Sequence, residues 1–269
     1  MNEVSHVTLI DGSPAEAGAL SALAFAGFAH FTAMQVRDGR IRGLDLHLDR
    51  LTVASQRLFN GAVAEDEVRA HLRAALSETM GDCSVTITVY DSAGEFTATA
   101  PAQSLHTLIR TGPPSSGPSG PLSLALVEHE RFMADIKHVG EAAKTVLLRR
   151  SVGEGFDDAA FVDRAGRITE GSIWNLAFWD GKTVVWPEAH MLIGTMMSTV
   201  RRQLDHARVP QRTQEVLAAD VERFSSAVVM NSWSPGIPVS RIGTTDLDVN
   251  SRFAALLHEA HESEPAVEA

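Results

Sequence analysis

DDAAFVDRAGRITEGSIWNLAFWDGKTVVW, residues 157–186, decides the fold class. Asp157–Val162 and Arg167–Thr169 are short β-prone runs on either side of a turn. Leu176–Trp179 and Thr183–Trp186 flank Asp180-Gly181, a dipeptide that tolerates the positive φ of a hairpin turn. The runs are too short for helices and too closely joined for crossover connections, so the spacing predicts antiparallel neighbours. Met196–Ala207, just beyond, has a helical period instead.

The same mixture extends in both directions. Upstream, Phe28–Val36 alternates and reads as a strand, followed by the hairpin signal Asp38-Gly39. Leu46, Leu48, Leu51, Val53 and Leu58 have roughly helical spacing, with Asp45 as the expected N-cap. Glu65–Ser77 is a second predicted helix. Val85–Tyr90 and Phe96–Ala100 flank another hairpin turn, and Leu105–Arg110 is a further strand. Gly112–Pro121, GPPSSGPSGP, offers no side chain able to fill a core and reads as a linker. Beyond it come a strand at Leu122–Val127, a helix at Val139–Val152 ended by Gly153 and Gly155, and a strand at Ser226–Met230. The acidic tail after Glu259 reads as frayed. The expectation is an α+β protein with a small domain over 1–111, a linker over 112–121 and a larger domain over 122–269.

Composition narrows the function classes. The chain has 269 residues and a net charge of −11, which disfavours a nucleic-acid partner. Its longest apolar-looking stretch, Ala15–Met34, is interrupted by Glu16, Ser21, His30 and Thr32, so no membrane span is expected. Cys83 is the sole cysteine and no signal peptide is evident, which together point to the cytoplasm. No Cys or His spacing suits a metal, and the His258/His261 pair lacks a third ligand. Gly181-Lys182-Thr183 ends like a phosphate loop, but Leu176 stands where that motif requires glycine. Only three of the 23 basic residues are lysines: Lys137, Lys144 and Lys182.

Several chemistry-bearing residues fall at the ends of predicted elements. Lys137 lies between a strand and a helix; Glu170 ends a strand, with Asn175 close behind; Gly194-Thr195 opens a helix whose free N–H groups suit an anion; Asn231-Ser232 follows a strand. Arg50 sits on a predicted helix. A lysine, a carboxylate, an arginine and N–H donors are together the inventory that pyridoxal phosphate requires.

The order of these pieces resembles the class IV aminotransferases, the fold-type IV pyridoxal-phosphate enzymes. That family includes branched-chain and D-amino-acid aminotransferases, amine transaminases and aminodeoxychorismate lyase. The resemblance runs from about Phe28 to Val239 and is carried by FTAMQVRDGRIRGLDLHLDRL (31–51), ADIKH (134–138), DRAGRITEGSIWN (163–175), LIGTMMSTV (192–200) and MNSWSPGIPV (230–239). It implies two domains with the cofactor, pyridoxal 5'-phosphate, between them. It makes Lys137 the Schiff-base lysine and proton carrier, and sets Glu170 against the pyridine nitrogen. It assigns the phosphate to Arg50, to the N–H groups of Thr195 and Met196, and to the Ser232 hydroxyl. Phe31, Ala33, Gln35, Trp174 and Trp233 become the expected substrate-pocket residues. A homodimer is also implied, with an amine or amino acid and an oxo acid as substrates.

The departures from the family pattern are specific. Met196 stands where the family usually has threonine, and Trp174 replaces a small polar residue. Asp91 falls near the place of the arginine that clamps substrate carboxylates in the D-amino-acid branch, and Arg40, Arg42, Arg110 and Arg131 remain as other candidates for such a clamp. Lys137-His138 and the Pro235 region resemble the lyase. Transamination is the leading expectation, pyruvate elimination from aminodeoxychorismate the second, and a non-catalytic cofactor-binding protein the third.

Overall fold

A computed structural model describes residues 6–25, 27–93 and 105–269. The chain divides into two compact units: Met1–Ser115 with Ile136–Gly140 and Ala266–Ala269, and Ser116–Asp135 with Glu141–Pro265. Lys137 and the C-terminal tail thus group with the first unit, whereas the sequence reading runs one domain from 122 to 269.

The first unit contains β1 (Thr8–Ile10), β2 (Ser13–Pro14), α1 (Ser21–Phe25), β3 (Ala29–Val36), β4 (Ile41–Arg42), α2 (Leu44–Phe59), α3 (Glu65–Ser77), β5 (Cys83–Asp91) and β6 (Leu105–Gly112). Its five-stranded sheet has the order β2-β1-β6-β5-β3, and each neighbouring pair is antiparallel. Period-two alternation on β3 sends Thr32, Met34 and Val36 into the interior and leaves Phe31, Ala33 and Gln35 half-buried on the other face. Met34, Val36, Val85, Ile87 and Ile109 from the sheet pack against Leu44, Leu48 and Leu51 of α2 and Val68 and Leu72 of α3. Those helix positions recur at three- and four-residue steps, which makes one apolar stripe per helix.

Three local expectations are revised in this unit. Asp38 and Gly39 do form a tight turn, both at positive φ (50° and 70°), with Arg37 and Arg40 exchanging backbone hydrogen bonds at 2.9 Å. Asp45, however, lies inside the first turn of α2, and Gly43 at φ 65° is its N-cap. The left-handed backbone favours glycine there. The residues at 139–141 are not helical, because Ile136–Gly140 lies along β3: Phe31 N–H donates to Lys137 O and Val139 N–H to Ala29 O, each at 2.9 Å. The tail is ordered as well, with Ala266–Val267 pairing antiparallel to β4. The strand expected at Phe96–Ala100 lies outside the described residues.

The second unit contains β7 (Leu122–Glu128), α4 (Ala142–Gly153), β8 (Asp158–Val162), β9 (Ile168–Gly171), β10 (Asn175–Trp179), β11 (Val184–Pro187), α5 (Thr195–His206) and β12 (Gln211–Gln214). A 3-10 turn at Ala218–Arg223, β13 (Ser226–Asn231), β14 (Ser234–Ile242), β15 (Thr245–Asp246) and α6 (Ser251–Glu262) complete it; β16 is the Ala266–Val267 tail strand of the first unit. The sheet order is β12-β11-β10-β13-β14-β7-β8-β9, with β15 on β14. Most pairs are antiparallel; β7/β8 and β11/β12 are parallel because α4 and α5 return the chain between them, and β14/β7 is parallel as well.

The sheet is covered on both faces. Leu176, Phe178, Val185 and Val229 point into one core with Ile168 and Phe224. Ala177, Val184, Trp186, Val228 and Met230 point into another, with Met197 and Val200 of α5 and Phe253 and Leu257 of α6. Double burial explains why these strands read as continuous apolar runs rather than as an alternation. The chain is thus α+β, with a smaller first unit and a mainly antiparallel second one. No helix among the described residues is long and apolar enough to cross a membrane.

Candidate active site

In the first unit the candidate groups gather around β3. The pairing of Ile136–Gly140 with β3 fixes the Lys137 backbone, and its Nζ lies 4.8 Å from the centroid of the Phe31 ring. The half-buried Arg50 projects from α2, one turn after His47. His47 is buried, with Nδ1 2.6 Å from Thr32 Oγ1. Burial, reinforced by the positive charges of Arg50 and Lys137, pushes its pKa down to about 3, so the ring is neutral. Both cations therefore act on one buried ring beneath β3. Ala33 lies on the Phe31 face, as the sequence suggests. Gln35 does too, but its amide is engaged: Nε2 donates to Ser84 Oγ at 2.8 Å, and Oε1 accepts from Ser115 N–H at 2.9 Å.

In the second unit Glu170, on β9, is buried at 4% exposure. Arg131 Nη1 lies 3.3 Å from its Oε1, and Lys144 Nζ lies 3.5 Å from its Oε2. Arg131 also pairs with Glu141 at 2.6 Å. Burial pushes the Lys144 amine below the ordinary lysine range, and the charge of Glu170 opposes that shift. Ser172 Oγ, two residues beyond Glu170, is buried without a hydrogen-bond partner. Such a hydroxyl is costly to bury unless a ligand or a water satisfies it.

The start of α5 forms a second polar edge of this unit. Gly194 caps the helix with no side-chain cap, so the first-turn N–H groups of Thr195 and Met196 have no partner within the helix. Asn175 Oδ1 accepts from Gly194 N–H at 2.9 Å, and its Nδ2 donates to Leu192 O at 2.7 Å. A Cβ on residue 194 would lie 2.1 Å from that Oδ1, so only glycine allows this clasp. The Met196 side chain belongs to the α5 core. Ser232 is half-buried in the turn between β13 and β14.

Trp174 is a core residue as much as a wall. Its ring is 4% exposed, and Nε1 donates to Asp158 Oδ2 at 2.7 Å. The more exposed Trp233 meets it edge-on at 5.9 Å. Tyr90 is buried in its strand.

The sequence gives Lys144 and Glu141 no role, and Arg131 is only one of four arginines available to a substrate carboxylate. The ion pairs of Arg131 with Glu141 and Glu170 commit it elsewhere. The one signal for Lys144 in the sequence is the scarcity of lysine.

A carboxylate flanked by cations, an unsatisfied hydroxyl beside it and a helix start with open N–H groups suit a ligand with a ring nitrogen and a phosphate. Among the described residues no cluster of His, Cys, Asp or Glu could hold a metal ion.

The family model described as amino-transferase class IV matches residues 29–242. No curated protein matches the chain in sequence. Among solved structures, an aminotransferase from Brucella abortus bound to the cofactor PLP is similar, with a TM-score of 0.83 at 18% identity over 96% of this chain and 99% of that one. A branched-chain aminotransferase from Thermoproteus uzoniensis with norvaline gives 0.82 at 15% identity, over 96% and 94%. A 4-amino-4-deoxychorismate lyase from Pseudomonas aeruginosa gives 0.80 at 21% identity, over 96% and 99%. At these identities the structural likeness is one of fold.

Proposed function

We propose that this chain, which belongs to the class IV aminotransferase family, moves an amino group from an amine or amino acid to an oxo acid, with Lys137 as the residue that holds the cofactor covalently. As a member of that family the chain is an enzyme whose cofactor is pyridoxal 5'-phosphate. When bound, that group supplies an aldehyde for the amine and a pyridinium ring that accepts the electrons released as the Cα proton leaves.

The chain's own residues supply the rest. Lys137, once displaced by the incoming amine, takes the Cα proton of the donor and returns it as a general acid. Phe31 packs against its Nζ and removes water from one side of the amine. Glu170 holds a proton at the ring nitrogen. Arg50, the N–H groups of Thr195 and Met196, and the Ser232 hydroxyl take the phosphate. Trp233, propped on the fixed Trp174, is an apolar wall for the substrate.

The observation that carries this reading is the buried Glu170, held by two cations beside the unsatisfied Ser172 hydroxyl. A buried carboxylate needs compensating positive charge, and Arg131 and Lys144 supply it here.

Lys137-His138, the dipeptide that resembles the lyase, supports a second reading: the same proton abstraction followed by expulsion of pyruvate. The test is to give the purified enzyme pyruvate with a panel of amino donors, and separately aminodeoxychorismate. Transamination predicts a new amino acid from pyruvate and no pyruvate from aminodeoxychorismate. The opposite pair of results establishes the lyase.

A further inference from the structure

Glu170 is met by buried cations from two different elements. Arg131, in the segment after β7, faces Oε1, and Lys144, in the first turn of α4, faces Oε2. The two are not equivalent. Arg131 makes its shorter contact with Glu141, 2.6 Å against 3.3 Å, and its Nη1 also donates to Ala134 O at 3.0 Å. Its charge is divided between two carboxylates. Lys144 Nζ is directed at Glu170 and lies 5.9 Å from the Phe161 ring centroid.

The orientation of Lys144 is unusual for its helix. Among the α4 side chains only Ser151 is fully buried, yet the Lys144 side chain is turned inward to 13% exposure. A lysine on a mostly exposed helix normally keeps its ammonium in water. Here solvent screens the Lys144–Glu170 pair little, so the lysine changes the field at the carboxylate substantially. His129, at the end of β7, also faces the cluster, and burial lowers its pKa.

We propose that Lys144 is a positioning residue for the cofactor's ring nitrogen: through Glu170 it sets how much negative charge that carboxylate presents to the ring. The proposal rests on the role given to Glu170 above. Without the lysine, Glu170 would face the ring with more of its charge, and that added negative charge would make the lysine–cofactor link less acidic.

The test follows the visible absorption band of bound pyridoxal phosphate through a pH titration of wild-type, K144M and K144R holoenzyme. K144M keeps length and apolar bulk, whereas K144R keeps charge. The midpoint should rise by about half a pH unit or more in K144M, and K144R should stay within about 0.2 unit of wild type. If K144M does not fold, K144Q makes the same comparison. Superimposable wild-type and K144M curves would overturn the proposal. A K144R shift equal to that of K144M would overturn it too, by showing that shape rather than charge matters. If K137A retains the wild-type band, the reading of the site fails and the proposal fails with it. If K137A lacks the band and K144M does not shift it, the proposal alone fails.

Discussion

Lowering the pH from neutrality to 5 should destabilise this protein through two histidines buried beneath β3. His47 is held against Thr32 Oγ1 at 2.6 Å, and its pKa is pushed down to about 3. His30 Nε2 lies 2.8 Å from Ser55 Oγ, and burial takes its pKa to about 4. In the unfolded chain both titrate near the ordinary histidine value of 6.5. Below that pH the unfolded state binds protons that the folded state refuses. Stability therefore falls as the pH drops from 6.5 toward the folded values. At pH 5 each ring has lost about 1.5 pH units of linkage, or about 2 kcal/mol, which makes about 4 kcal/mol for the pair. Asp11, Asp163 and Asp180 have lowered pKa values and lose their contribution only below about 3.8, outside this window. The assay is urea unfolding followed by far-UV circular dichroism at neutral pH and at pH 5, without added cofactor. In H47Q, whose amide can still bond Thr32, the acid-induced loss should shrink by about 2 kcal/mol. An H47Q loss equal to that of wild type would refute the reasoning.

Three substitutions probe other parts of the structure. G194A puts a methyl group onto Asn175 Oδ1 and breaks the clasp at the start of α5; pyridoxal phosphate affinity, measured by fluorescence titration, should weaken about tenfold or more. W174F leaves the buried Asp158 without its indole donor at 2.7 Å; the denaturant midpoint should fall by the equivalent of about 1–3 kcal/mol. E264A removes a buried carboxylate that accepts from Arg202 and, at 2.5 Å, from Gln203. Arg202 is partly exposed, so the cost in a thermal or urea melt should be about 1–2 kcal/mol.

How much of this was legible in the sequence depends on the range of the forces involved. The α3 stripe, the Asp38-Gly39 turn and the hairpin at Asp180-Gly181 are local, and their residue types announce them. Ile136–Gly140 and Ala266–Val267 are extended because each pairs with a strand far away in sequence, a force that no local pattern reveals. Acidity suggests a frayed end, yet Glu264 is buried against Arg202 and Gln203. Glu170 stands out by its motif, whereas the cations beside it do not. Arg131 and Lys144 come from elements whose approach to β9 is set by the folding of the whole second sheet. The same limit applies to Trp174, which reads as a pocket wall but also donates to a carboxylate in the core.

A covalent bond from the cofactor to one of only three lysines is directly measurable. Purified enzyme loaded with pyridoxal phosphate should be reduced with borohydride, digested, and mapped by mass spectrometry. The pyridoxyl group should appear on Lys137, and on no residue in K137A. A label on Lys144 or Lys182, or an enzyme that turns over normally as K137A, would contradict that attachment.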